Sequence, residues 1–162
     1  MQVQIRRAQK LDTGDMAELL NAIIATGGTT ALTKPVTGDD LWDWIVEDGD
    51  QGAWNVAEID GRAQGFQWVG PNSALPPDAC DIATFVREGQ TGLGIGSKLF
   101  DATRAAATSL GYDWINANIR TDNESGLTYY QSRGFRTYGG KEGHVLDNDL
   151  VVDKVFKRYD LK

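Results

Sequence analysis

Residues Asp81 to Phe100 read DIATFVREGQTGLGIGSKLF, and this stretch decides the fold because a strand breaks there into a glycine-rich turn and continues as a helix. Gly92, Gly94 and Gly96 occupy alternate positions just before an apolar stripe with helical spacing. Glycine lets the backbone approach a ligand closely, and a helix N-terminus adds unpaired N–H groups and a positive dipole end. A tight turn alone would not need three glycines, so the stretch predicts an anion-binding loop.

The spacing of this loop excludes two common phosphate-binding motifs. A Walker loop has a lysine directly after its last glycine, whereas Ser97 follows Gly96 and Lys98 comes one position later. A dinucleotide-binding GxGxxG motif that starts at Gly92 would need its third glycine at position 97. The loop is therefore of neither the nucleoside-triphosphate nor the Rossmann type.

Two motifs in the right order resemble those of the GNAT family of N-acetyltransferases. The glycine loop is similar to the family's acetyl-CoA pyrophosphate loop, [RQ]-x-x-G-x-[GA], with Thr91 at the Arg or Gln position and Glu88 in place of a proline after the strand. Farther along, Asn123 to Phe135 read NESGLTYYQSRGF, which matches the family pattern N-x-x-[AG]-[IL]-x-x-Y-x-x-x-G-F.

The resemblance implies an α/β (α+β) GNAT fold, with a mixed, mostly antiparallel sheet of about seven strands and helices on both faces. It also implies a sheet splayed between the fourth and fifth strands, with acetyl-CoA bound in the gap and the Val86 N–H facing the thioester oxygen. The cofactor-binding residues that it implies are Phe85, Val86, Thr91, Gly92, Gly94, Ile95, Gly96, Ser97 and Asn123.

Hydrophobic periodicity and turn residues predict the elements of this fold in the order βααβββαβαββ. The predicted helices begin after Asp12, near residue 39, after the glycine loop and at residue 123. The predicted strands cover residues 3–8, 53–59, 62–69, 79–87, 114–120, 135–138 and 151–159.

Length and composition suit one cytoplasmic domain over residues 1–162. Cys80 is the only cysteine, and neither a signal-peptide core nor an apolar run of about 18 residues occurs, so we expect no membrane partner. The 23 acidic and 16 basic residues give a net charge of −7, which argues against nucleic acid.

By resemblance, Tyr130 is the general acid that protonates the departing thiolate. A phenol with a pKa of about 10 stays protonated at neutral pH and lies only about 1.5 units above a thiol. A role in packing alone is the alternative for Tyr130. Asn123 is expected to hydrogen-bond the cofactor arm, to cap the helix that follows it, or to do both.

The residues do not single out a general base. Asp81, Glu88 and Glu58 are candidates of suitable chemistry. His144, the one histidine, falls in a Gly- and Asp-rich segment that we expect to be a solvent-exposed loop. One histidine and one distant cysteine cannot form a catalytic triad or a zinc site, so we expect no metal.

The acceptor is expected to be a small-molecule primary amine that attacks the thioester directly. The segment between Pro35 and Gly61 contains no Lys or Arg, so it forms either a solvated helix face or an acidic wall for a cation; its acids are Asp39, Asp40, Asp43, Glu47, Asp48, Asp50, Glu58 and Asp60.

Four tryptophans before the glycine loop belong to the core, to an interface or to a ligand cage; they are Trp42, Trp44, Trp54 and Trp68.

Two other functions remain open from the sequence alone. One is a non-catalytic acyl-CoA-binding or interaction module. The loss of the Arg or Gln at position 91, where this chain has Thr91, agrees with such a module, but the retained Tyr130 does not. The other is a peptide or protein N-terminal acetyltransferase, which differs in how open the acceptor groove is. The tryptophan-rich first half and the last strand also predict a homodimer.

Overall fold

The computed structural model describes residues 2–89 and 94–162. Its seven strands form one sheet in the order β1-β2-β3-β4-β5-β7-β6. The strands are β1 Gln4–Arg7, β2 Ala53–Ile59, β3 Arg62–Gly70, β4 Ala79–Val86, β5 Trp114–Arg120, β6 Arg136–Val145 and β7 Val151–Asp160. The α-helices are α1 Thr13–Thr26, α2 Gly38–Asp48, α3 Ile95–Ser109 and α4 Glu124–Ser132. The predicted fold class and element order are confirmed.

Helices cover both faces of the sheet, as two neighbouring residues of β2 demonstrate. Val56 packs in a cluster with Leu20 of α1 and Leu41 of α2, whereas Ala57 packs in another cluster with Leu99 of α3. Successive side chains of a strand point to opposite faces, so α1 and α2 lie on one face and α3 on the other. Within residues 2–89 and 94–162, no helix has the length and apolar character needed to span a bilayer.

The sheet opens between β4 and β5, as predicted. These strands are parallel and pair only from Ala79 to Asp81, opposite Trp114 to Asn116. Beyond that point β4 continues along β3 to Val86, while β5 continues along β7 to Arg120. The last five residues of β4 are therefore paired on one side only, and a gap forms on the other side.

The largest error of the sequence-based assignment is the length of β6. This strand continues to Val145, whereas residues 135–138 were predicted, and His144 therefore lies in a strand and not in a loop. The sequence does not predict the full strand because it contains Gly139, Gly140 and Gly143, and glycine is depleted in sheets. Pairing with β7 supplies the ladder that propensity does not, with register shifts between 137 and 139 and between 141 and 144.

Candidate active site

A cleft of about 830 Å³ occupies the gap between the diverging strands. Every predicted site residue that the structure describes lines this cleft: Phe85, Val86, Gly94, Ile95, Gly96, Ser97, Asn123 and Tyr130. Thr91 and Gly92 lie outside the described residues. The structure thus brings together residues from one strand, from the N-terminal end of α3 and from both ends of α4.

The start of α3 forms the anion-binding end of the cleft. Gly94 is the N-cap, with a left-handed φ of 72°, and Lys98 N donates to Gly94 O at 3.0 Å. The N–H groups of the first helical turn have no partner within the helix, and this turn contains no acidic residue. Arg133 adds a cation there, since its Nη1 donates to Ser97 Oγ at 2.7 Å. Hydrogen-bond donors and positive charge therefore converge where a pyrophosphate would bind.

Main-chain groups of β4 face the gap at alternate residues. Arg87 N donates to Gln64 O of β3 at 2.8 Å. Because successive N–H groups along a strand point to opposite sides, those of Val86 and Thr84 point away from β3 and into the gap. The Phe85 ring lies on the α1–α2 face, with its centroid 5.1 Å from that of Phe66. The cleft therefore receives the Val86 N–H that the resemblance assigns to the thioester oxygen.

Tyr130 lies on α4 with 7% of its surface exposed, and its hydroxyl is 2.8 Å from Thr84 Oγ1. Its ring packs against Phe135 at a centroid distance of 5.1 Å. Burial raises the pKa of the Tyr130 hydroxyl, while the hydrogen bond with Thr84 acts in the opposite direction. The group is therefore protonated at neutral pH, and the residue both packs in the core and reaches the cleft.

Gln67 of β3 connects both tyrosines of α4. Its Nε2 donates to Thr84 Oγ1 at 2.8 Å and to the Tyr129 hydroxyl at 3.0 Å. The Tyr129 hydroxyl in turn donates to Gly96 O at 2.7 Å, so its proton is already used. Thr84 Oγ1 accepts from Gln67, which leaves the Thr84 hydrogen free to point to Tyr130. With that orientation, the Tyr130 proton is available to a group in the cleft.

This hydrogen-bond network lowers the stability of the folded protein. Gln67 is completely buried, and its Oε1 has no hydrogen-bond partner among the described residues. An unpaired buried acceptor costs about 1 to 3 kcal/mol. Burial also raises the pKa of Tyr129 to about 12, which keeps its hydroxyl protonated and hydrogen-bonded to Gly96. A polar group at position 67 is therefore explained by the site and not by core packing.

Asn123 caps α4. Its Oδ1 accepts from Gly126 N at 2.9 Å, and its Nδ2 donates to Thr29 O at 3.2 Å. The N-cap alternative is therefore what the structure shows, and the same residue also lines the cleft. Its role toward the cofactor stays a prediction.

Asp81 lies where β4 leaves β5, and its half-buried carboxylate lines the cleft. Asn116 Nδ2 donates to one carboxylate oxygen at 3.0 Å, and Asn72 Nδ2 donates to the other at 3.2 Å. Burial raises the pKa of Asp81, and these hydrogen bonds and nearby Lys154 partly offset the increase. The result is a carboxylate of raised proton affinity in the cleft that contains Tyr130.

The other two candidate bases have different surroundings. Glu58 accepts from Arg6 Nε at 3.0 Å and does not line the cleft. Glu88 lines the cleft but is exposed, and it accepts from Thr26 Oγ1 at 2.7 Å. His144 lies outside the cleft, and the charges of Lys154 and Lys141 lower its pKa. Asp81 is thus the candidate best placed to act as a base.

Comparison with known proteins agrees with this geometry. The family model described as "Acetyltransferase (GNAT) family" matches residues 18–135. The chain belongs to the GNAT acetyltransferase family. It is an N-acetyltransferase that uses acetyl-CoA, so the predicted family, enzyme class and cofactor are confirmed.

Three individual proteins illustrate how similar this acetyltransferase is to its relatives. A candidate phosphinothricin acetyltransferase of Bacillus subtilis, YwnH, is 26% identical over 98% of this chain and 94% of its own. An N-acetyltransferase structure from Staphylococcus aureus superposes with a TM-score of 0.90, at 25% identity and full coverage of both chains. A phosphinothricin acetyltransferase from Sinorhizobium meliloti, solved with acetyl-CoA, gives 0.87 at 18% identity, over 99% and 89% of the chains.

The described residues of this acetyltransferase fit acetyl-CoA. Gly96 admits no side chain, because an added Cβ would lie 2.7 Å from the Tyr129 ring. The space at Gly94 is open, so the backbone there can be approached closely. The sequence patterns do not single out four further residues of the site, which are Arg133, Thr84, Gln67 and Lys154. The first falls on a variable position of the second motif, and the others are brought to the site only by strand pairing.

Replacing Gly94 with Asp should weaken CoA binding by at least about tenfold, with little change in fold. The substitution adds a negative charge at the N-terminus of α3, where anions of the ligand are expected to bind. Calorimetric titration with CoA measures the effect.

Gly94→Asn is the matched control, since Asn is similar in size to Asp, is neutral and tolerates left-handed φ better than most residues. We expect Gly94→Asn to bind CoA several times more tightly than Gly94→Asp. Equal losses in both variants would show that backbone strain, and not charge, determines the affinity.

Proposed function

We propose that this protein transfers the acetyl group of acetyl-CoA to the primary amine of a small molecule by direct attack on the thioester. The observation that carries the proposal is the presence of Tyr130 and Asp81 in one cleft, at the point where the sheet opens. One group can give a proton and the other can accept one, so the proton given to the thiolate and the proton taken from the ammonium ion each have a candidate residue.

The acid of the proposed mechanism is Tyr130. Its hydroxyl gives a proton to the thiolate as the carbon–sulfur bond breaks, and the tyrosinate can regain a proton from the nitrogen of the adduct, which loses its second proton as it becomes an amide. Thr84 supports this step, because its hydroxyl can donate to Tyr130 Oη as negative charge develops there. The family's acetyl-CoA supplies the activated acetyl group, and the Val86 N–H is proposed to bind the thioester oxygen.

The base of the proposed mechanism is Asp81. An alkylammonium ion with a pKa near 10 must lose its proton before it can attack, which costs about 4 kcal/mol at pH 7. A carboxylate with a raised pKa accepts a proton more readily than an ordinary one, so its desolvation in the cleft favours the transfer. Asn116 and Asn72 hold the carboxylate in place.

The names of the relatives bear on the acceptor only by analogy. Those from Bacillus subtilis and Sinorhizobium meliloti carry the name phosphinothricin acetyltransferase, and phosphinothricin is a small molecule with a primary amine. Small-molecule acetylation is therefore our first proposal. A non-catalytic acyl-CoA-binding module is less well supported because both Tyr130 and Asp81 line the cleft. A protein N-terminal acetyltransferase is the second alternative.

The test is thiol release from acetyl-CoA with a panel of small primary amines and with short peptides. We expect at least one small amine to be acetylated faster than every peptide tested. Preferred turnover of peptides would favour an N-terminal acetyltransferase. CoA binding without turnover of any amine or peptide would favour the non-catalytic module.

We also propose that the chain is one domain and acts in the cytoplasm as a homodimer. The single cysteine, Cys80, is buried and unpaired, which suits a reducing compartment. The β6–β7 hairpin supports the dimer, because it carries the exposed apolar side chains Tyr138, Val145 and Val151.

A further inference from the structure

A second cavity, of about 310 Å³, adjoins the active-site cleft on the α1–α2 face of the sheet. The two spaces share four lining residues, Leu32, Trp68, Ala83 and Phe85. A molecule whose amine lies in the cleft can therefore extend its remaining atoms into the cavity. Nothing in the proposed chemistry uses this space.

Five aromatic side chains line the cavity. Trp44 comes from α2, Trp54 and Trp68 from adjacent strands, and Phe66 and Phe85 from a paired position of β3 and β4. The Trp54 centroid lies 5.9 Å from Trp68 and 6.2 Å from Phe66. Three of the four early tryptophans thus line one cavity together with two phenylalanines, an arrangement that a ligand cage would need.

One carboxylate fixes the two strand tryptophans. Asp48 Oδ2 accepts from Trp54 Nε1 at 2.9 Å and from Trp68 Nε1 at 2.5 Å. These hydrogen bonds satisfy both indole N–H groups, so both indoles line the cavity without an unpaired donor. The Asp48 oxygen that carries two donors is less available to a ligand. Glu47, the other acidic residue of the wall, is exposed to solvent.

We propose that this cavity binds an aromatic or bulky branched apolar group of the acceptor amine. The inference rests on the proposed acetylation of a small primary amine and names the class of amine. Among the described lining residues there is no Lys or Arg, and the acids Glu47 and Asp48 would repel an anionic group. Most of the lining residues are apolar, so the wall mainly offers apolar contacts.

A cationic group is the competing occupant of the cavity. A cation would gain attraction from the ring faces but would lose its hydration. The two carboxylates of the wall offer little compensation, because Asp48 is hydrogen-bonded to both indoles and Glu47 is solvated. An apolar group carries no such desolvation cost, and each CH₂ that it buries is worth about fourfold in affinity. The apolar occupant is therefore favoured over the cation.

The experiment compares kcat/KM for three amines: 2-phenylethylamine, n-propylamine and 1,4-diaminobutane. We expect 2-phenylethylamine to be preferred over each of the others by at least about tenfold, since its ring buries several carbons. A preference for the diamine would overturn the proposal in favour of a cation site. Equal turnover of all three would also overturn it but leave the proposed acetylation intact, whereas turnover of none would count against that function.

Substitutions on α2 test the cavity itself. Trp44 lines the cavity and not the cleft, so Trp44→Ala should lower kcat/KM for 2-phenylethylamine at least fivefold and leave that for n-propylamine unchanged. Trp42→Ala, on the same helix and outside the described cavity wall, is the control and should change neither. If Trp44→Ala does not fold, Trp44→Leu makes the same test at the same position, because it removes the ring from the cavity wall but keeps an apolar side chain.

Glu47→Gln separates the two kinds of occupant. It removes a charge from the cavity wall with little change in shape. We expect kcat/KM for 2-phenylethylamine to stay within twofold of the wild-type value. If the diamine is the better substrate of the wild type and Glu47→Gln lowers kcat/KM for the diamine fivefold or more, the cavity is a cation site and the proposal is overturned.

Discussion

Replacing Tyr130 with phenylalanine should lower kcat by at least about 10²-fold and leave KM for acetyl-CoA nearly unchanged. The ring keeps its packing against Phe135, so the variant should fold. What disappears is the hydroxyl 2.8 Å from Thr84, the group proposed to protonate the thiolate. Steady-state kinetics with an identified amine, together with calorimetric CoA affinity, measure the two effects separately.

Tyr129→Phe is the matched control for this prediction. It removes a hydroxyl from the neighbouring residue of the same helix, but one whose proton is already donated to Gly96 O. We expect it to raise KM for acetyl-CoA and to change kcat much less. The kcat loss of Tyr130→Phe should also shrink with an acyl donor whose thiol has a lower pKa. If Tyr130→Phe retains more than about half of the wild-type kcat, the proton comes from elsewhere.

Replacing Asp81 with asparagine should lower kcat/KM at pH 7 by at least about 10²-fold, because an amide cannot take the proton of the ammonium group. The deficit should shrink as pH rises, since each pH unit gives about tenfold more neutral amine below its pKa. Asp78→Asn is the control, because it makes the same change three residues earlier at an exposed site outside the described wall of the cleft. A comparable loss in Glu88→Gln but not in Asp81→Asn would move the base to Glu88.

Stability gives Asp81→Asn a second signature. The pKa of Asp81 is raised in the folded protein, so the folded state binds its proton more tightly than the unfolded state does. The stabilisation linked to this proton is complete below the unfolded pKa and is lost as pH rises through the folded pKa. At pH 7 the wild type therefore keeps a desolvated charge that the variant lacks. We expect the variant's Tm at pH 7 to be equal or higher, and its advantage to fall in acid.

The sequence predicted the parts of this molecule that are encoded over short distances. The glycine loop and the segment from Asn123 to Phe135 each carry their own pattern, so the family, the splayed sheet and Tyr130 followed from them. Gln67, Thr84 and Lys154 have no local pattern, because what matters about them is which residue lies opposite on another strand. The length of β6 was missed for the same reason, since β7 stabilises a glycine-rich strand that propensity disfavours.

The two-residue alternation of β4 separates acceptor recognition from the proposed acid, Tyr130. Ala83 and Phe85 line the acceptor cavity on one face, while Thr84 between them contacts Tyr130 on the other. Random substitutions in α2 or on the cavity face can therefore alter which amine is accepted without touching the acid. In evolutionary terms, the range of substrates can drift while Tyr130 stays under purifying selection, and a library confined to the residues of the cavity wall is the economical way to engineer new acceptors.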